Sequence, residues 1–69
     1  MKYTVIVERF EAEPLRLQTD TNVVSALGEI ASDTMFIAFT AAAFGEEVQP
    51  SILAIPTKTI SLIEQYENE

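Results

Sequence analysis

The sequence predicts a small α+β fold, a mostly antiparallel sheet in the order ββαβββ with one helix packed on it. Three observations carry that reading. Residues 2–10 (KYTVIVERF) and 15–19 (LRLQT) alternate apolar and polar side chains at the period of a strand. Between them and the rest of the chain, Asp20-Thr21-Asn22 offers helix-capping side chains ahead of apolar positions at Val23, Leu27 and Ile30, spaced i, i+4, i+7. Beyond the helix come three further stretches of strand composition, residues 35–40, 52–55 and 59–63.

In chain order, the first strand puts Tyr3, Val5 and Val7 on one face and Thr4, Ile6 and Glu8 on the other, with Ile6 implying partial cover of the second face. Glu11-Ala12-Glu13-Pro14 is the expected turn, a loop of about four residues. The second strand then faces inward with Leu15, Leu17 and Thr19 and outward with Arg16 and Gln18. The helix carries two β-branched valines and Gly28, so packing rather than propensity must hold it. Gly28 is read as allowing a close approach to the sheet, and the helix is expected to end near Ser32-Asp33.

Residues 35–40 (MFIAFT) are apolar at every position but one and are assigned to a strand; the alternative is a second helix over residues 35–44, with Gly45 as its C-cap. Residues 41–50 are then a long connection, a place where function often sits. Ile52-Leu53-Ala54-Ile55 is also apolar on both faces, which predicts cover on both sides and makes residues 51–66 the structural spine of the sheet. Pro56 ends that strand, and Thr57-Lys58 leads around a corner to a half-buried strand with Ile60 and Leu62 on one face. Residues 64–69 are expected to fray into solvent.

The pieces KYTVIVE, PLRLQTD and TNVVSALGEI resemble the ββα opening of the ubiquitin-like β-grasp fold. The resemblance covers residues 1–30 and implies a sheet face that binds other proteins. The sequence ends Glu67-Asn68-Glu69 without a Gly-Gly pair, so covalent conjugation is not carried over.

A chain of 69 residues makes one domain with a small core, and such chains commonly rely on disulfides, metals or oligomerisation. There is no Cys and no His, which removes disulfides, thiolate metal sites and the commonest acid–base catalyst. Self-association is the remaining support, and a hydrophobic fraction of 48% in so short a chain agrees with it. The net charge of −7 comes from eleven acidic against four basic residues. Lys2, Arg9, Arg16 and Lys58 are scattered, so neither direct nucleic-acid binding nor an anionic membrane partner is expected. No secretory leader pattern opens the sequence, and a cytoplasmic protein is expected.

No catalytic motif stands out, and the chain is not expected to be an enzyme or to carry a cofactor. Glu11 and Glu13 form a carboxylate pair, but on an exposed turn. Lys58 would need desolvation to act as a nucleophile. Glu46 and Glu47, with Asp33, could form a weak divalent-ion site, although adjacent carboxylates ordinarily just solvate a loop. The expected partner-binding residues are Phe44, Glu46, Glu47 and Tyr66, with Phe36 and Phe39 as further aromatic anchors. The resulting expectation is a small acidic protein-binding or assembly module, homo-oligomeric, with itself or a basic protein surface as partner. The alternative is an acidic inhibitor, as virus-encoded proteins can be, that mimics nucleic-acid charge and blocks a basic site on a larger protein such as a host-defence factor.

Overall fold

The alternation of the first two segments is realised as a hairpin of β1 (Tyr3–Arg9) and β2 (Ala12–Thr19), followed by α1 (Val23–Glu29), β3 (Phe36–Ala43), β4 (Ser51–Pro56) and β5 (Ile60–Glu67). The computed structural model describes residues 1–43, 45 and 49–69. The order is ββαβββ, the class is α+β, and all four ladders are antiparallel in a five-stranded sheet ordered β4-β3-β2-β1-β5.

One face of each strand builds the core. Val5, Val7, Leu17, Val23, Ile37, Phe39, Ala41 and Ile55 are buried, with Tyr3, Leu15, Leu27 and Ile63 packed around them. Thr19, the buried polar residue among them, donates from Oγ1 to the Thr40 carbonyl at 2.7 Å and accepts from the Thr21 N–H at 3.1 Å. Its hydroxyl is therefore satisfied on both sides.

The tip of the first hairpin differs from expectation. The turn is Phe10-Glu11, and Ala12 already pairs with Arg9, so residues 12–14 belong to β2. Glu11 takes φ 58°, a left-handed conformation that Gly or Asn ordinarily supplies, which is why no turn signal marked it. Arg9 clasps the tip by donating to the Glu13 carbonyl. Pro14 is tolerated because it falls where the β1 ladder shifts register and beyond the three positions of β2 that pair with β3.

Helix α1 is shorter than expected, ending at Glu29 with Ile30 as C-cap. Asn22 caps it by accepting from the Ser25 N–H at 3.0 Å. Gly28 does not serve close packing: it is exposed, and a Cβ built there meets nothing within 4 Å. Gly28→Ala is therefore expected to stabilise the chain by about 1 kcal/mol, raising Tm by about 4–8 °C in a domain this size. A fall in Tm on thermal denaturation would show that Gly28 is required by its surroundings.

The second half of the chain changes most. Residues 36–43 form a strand rather than a helix, and Ala41–Ala43 belong to it instead of to the connection. Neither β3 nor β4 is covered on both faces: Phe36 is 54% and Ile52 77% exposed, while Ile37 and Ile55 on the opposite faces are buried. The reason is layering. The core and the helix lie on the Ile37, Phe39 and Ile55 side of the sheet, and Phe36 and Ile52 on the other side stay exposed among the described residues.

Residues 51–66 are thus not the spine; they supply the two edges of the sheet, β4 at one end and β5 at the other. A flat sheet of five strands spaced about 4.8 Å apart would separate those edges by about 19 Å. Pro56 and Ile60 are linked only by the 3-10 turn Thr57–Thr59, whose rise of about 2.0 Å per residue spans about 8 Å. The sheet must therefore coil so that the edges converge at this end. The turn is tied down on both sides, with Phe10 N–H donating to the Thr59 carbonyl at 2.9 Å and Thr57 N–H to the Met35 carbonyl at 3.0 Å.

The last residues do not fray. β5 runs to Glu67, the Asn68 N–H donates to the Lys2 carbonyl at 2.8 Å, and the Asn68 side chain joins Thr4 and Gln18 in a hydrogen-bonded cluster.

Candidate interaction surface

The feature that strand parity creates without burying is the outer side of β3 and β4. Phe36 stands opposite Pro56, Ala38 opposite Ala54, and Thr40 opposite Ile52. All six are exposed. Met35, 70% exposed, adjoins Phe36. No Asp, Glu, Lys or Arg occurs in residues 34–43 or 48–57, so the patch is apolar and uncharged in a chain of net charge −7. Contiguous apolar surface of this kind, unlike a single exposed Leu, is a candidate contact surface.

The described carboxylates lie elsewhere and on several sides. Glu11 and Glu13 are at the first hairpin tip, Glu8 and Glu64 on the outer side of β1 and β5, Glu29 at the end of α1, and Asp33 in the segment before β3. They do not form one continuous acidic face with the β3–β4 patch.

The aromatic residues expected as anchors divide. Phe39 is 6% exposed and belongs to the core, whereas Phe36 lies on the patch. Tyr66 is exposed on the outer side of β5, opposite Thr4 and at the far edge from β4. Its hydroxyl donates to Glu64 Oε2 at 2.6 Å. That hydrogen bond, then the carboxylate's charge, hold the phenol's pKa above its ordinary 10.0. Phe44, Glu46 and Glu47 lie outside the described residues. Ile52 was assigned to a buried face and is instead the most exposed of the large apolar side chains among the described residues. The signal that marked it was the unbroken apolar run, which does not say what covers it.

Beside the patch, a cleft of about 400 Å³ opens between residues 32–36 and Pro56-Thr57-Lys58. Thr57 Oγ1 closes its floor by donating to the Thr34 carbonyl at 2.6 Å. Asp33 and Lys58 line it, both exposed. The ammonium of Lys58 is therefore solvated, and the desolvation that would make it a nucleophile is not met. Among the described residues, no group of three or more His, Cys, Asp or Glu side chains is placed to hold a metal ion. Among them, too, no helix is long and apolar enough to cross a membrane.

Comparison of the chain with protein-family models, with curated proteins and with solved structures returned no match. The ubiquitin-like resemblance of residues 1–30 rests on the residue pattern alone.

Proposed function

We propose that the protein is a non-enzymatic assembly module that associates with copies of itself through the uncharged side of β3 and β4. One observation carries this: the largest exposed apolar side chains of the two strands, Phe36 and Ile52, lie on the outer side of β3 and β4, and neither strand contains a charged residue. Two copies that each carry seven net negative charges repel unless they meet where those charges are not. Fully burying one such side chain from complete exposure contributes about 1.5–3 kcal/mol, so the 54% of Phe36 and 77% of Ile52 still exposed, from two copies, supply at most roughly 4–8 kcal/mol. Association costs on the order of 4–15 kcal/mol, so the assembly is expected to form and dissociate with concentration.

Sedimentation of the purified chain across a concentration series, at low and at high salt, tests the proposal. The expected result is a mass that rises from 7.7 kDa toward a multiple of it and persists at high salt, because screening relieves the repulsion and leaves apolar contact intact. Ile52→Glu is expected to hold the chain at the monomer mass with its circular dichroism unchanged. A wild-type chain that stays monomeric at high concentration in both salts would sink the proposal. An acidic decoy, by contrast, would be such a monomer and would bind a basic protein strongly only at low salt.

A further inference from the structure

The backbone of β4 states how two copies would meet. Thr57 N–H donates to the Met35 carbonyl at 3.0 Å, which is the bond that flanks Phe36 and Pro56 when they form a non-hydrogen-bonded pair. Pair types alternate along an antiparallel ladder. Ile55 with Ile37, Leu53 with Phe39 and Ser51 with Ala41 are then the pairs that exchange both bonds. Ile52 and Ala54 consequently aim their N–H and C=O groups away from β3, at the free edge. Pro50 and Pro56 flank them and have no N–H to offer. Among the described residues, the edge therefore presents two complete peptide donor–acceptor units.

We propose that this edge pairs antiparallel with the β4 edge of a second copy, with Leu53 facing Leu53 across the two-fold axis and Ile52 opposite the second copy's Ala54. The inference rests on the self-association proposed above and gives it a backbone contact at the β4 rim of that surface; it lays Ile52 against the second copy and leaves Phe36, one strand further in, outside the pairing. Parity allows only registers that keep inner-facing residues opposite inner-facing ones. Centring on Ile52 leaves the Ala54 carbonyl facing a proline nitrogen, and centring on Ala54 does the same to the Ile52 carbonyl. Centring on Leu53 lets all four N–H groups and all four C=O groups of Ile52 and Ala54 in the two copies bond reciprocally.

The occupant is a second copy for three reasons. The pattern of units between prolines is its own complement under a two-fold axis. The surface beside it lacks charge, which a like-charged copy requires and a basic partner would not exploit. Leu53 points toward the core yet is only half-buried, in the strand that ends the sheet among the described residues, and the second copy's Leu53 would cover it further. The opposite edge, β5, carries Glu64 and Glu67 and is guarded against such pairing.

The absence of cysteine from the chain makes the register directly readable. Leu53→Cys, Ile52→Cys and Ala54→Cys are each oxidised mildly at a concentration where the wild-type chain is associated. Facing residues of a non-hydrogen-bonded pair have Cα atoms about 4.5 Å apart, inside the disulfide range of about 4.4–6.8 Å. Position 52 or 54 is offset from its own copy by two residues and falls outside it. Leu53→Cys is expected to form a covalent dimer at least tenfold faster than the other two. Fastest cross-linking at 52 or 54, or equal rates at all three, would overturn the register.

Ala54→Pro supplies the second measurement. It removes an N–H that points only at the free edge, so the β3 ladder keeps its bonds, and the variant is expected to fold and sediment as a monomer. If it folds and still associates, edge pairing is overturned while self-association stands. If the wild-type chain is itself monomeric, both proposals fall. The cysteine series decides the matter independently should Ala54→Pro not fold.

Discussion

Phe39→Ala is expected to leave the chain close to unfolded at room temperature. Among the described residues, Phe39 is the one aromatic side chain in the buried cluster; its neighbours there are Val5, Val7, Leu17, Val23, Ile37, Ala41 and Ile55. Removing it deletes a ring and leaves a cavity that smaller aliphatic side chains on fixed strands cannot fill. Phe→Ala changes of this kind cost about 3–5 kcal/mol. A chain of this length is expected to be stable by only about 3–10 kcal/mol, at about 0.05–0.15 kcal/mol per residue. The loss therefore takes much or all of the margin. Phe39→Leu keeps most of the volume and is expected to cost less than about 1.5 kcal/mol. Urea denaturation of both variants checks this, at one low protein concentration because association adds to apparent stability. An unchanged urea midpoint for Phe39→Ala would mean that the ring is not in the core.

Gln65→Leu is expected to release α1 while leaving most of the sheet intact. Gln65 lies on the inner side of β5, and its Oε1 accepts from the N–H groups of Val23 at 2.8 Å and Val24 at 3.2 Å. Its Nε2 donates to the Asn22 side chain at 2.9 Å, which holds that residue in its capping position. The first N–H groups of a helix have no partner within the helix. Here a strand forty-two positions later supplies it. Leucine fills the space and offers no acceptor, so the buried Val23 N–H loses its partner at a cost of about 1–3 kcal/mol. A seven-residue helix has little intrinsic stability to set against that. Amide exchange is the discriminating measurement: protection should fall across residues 23–29 and persist in β1 and β2. Uniform loss of protection, or none, would show that Gln65 does not act as the helix's cap.

What could be read from the residues themselves follows a physical division. β1 and β2 alternate cleanly, and the parity of Val5, Val7, Leu17 and Thr19 predicted their burial. Asn22 advertised a helix start through its side-chain chemistry, and it caps one. The Phe10-Glu11 turn was illegible because Glu11 adopts a left-handed conformation without the residue type that usually announces it. The largest misreading concerned β3 and β4. Apolar residues on both sides of a strand show that both sides avoid water, but not whether the same chain supplies the cover. Ile52 and Leu53 look equivalent in sequence, and only the strand order places one outward at an edge. The candidate surface was therefore half visible, in Phe36 and in the lack of charge, and half misassigned. Gln65 could have been noticed as a polar residue at an inward position next to Ile63 in β5.

The cap supplied by Gln65 also bears on the order in which the molecule is made. Val5 pairs with Gln65 across sixty positions, the longest-range ladder in the sheet. Closing so long a loop is entropically slow compared with forming a hairpin, and folding rates fall as such contacts come to dominate. Helix α1 is local in sequence, yet its first turn is completed only once β5 has docked on β1. The nearest and the most distant structure in the chain should consequently appear in the same kinetic step, with no early helix to be seen before the sheet closes.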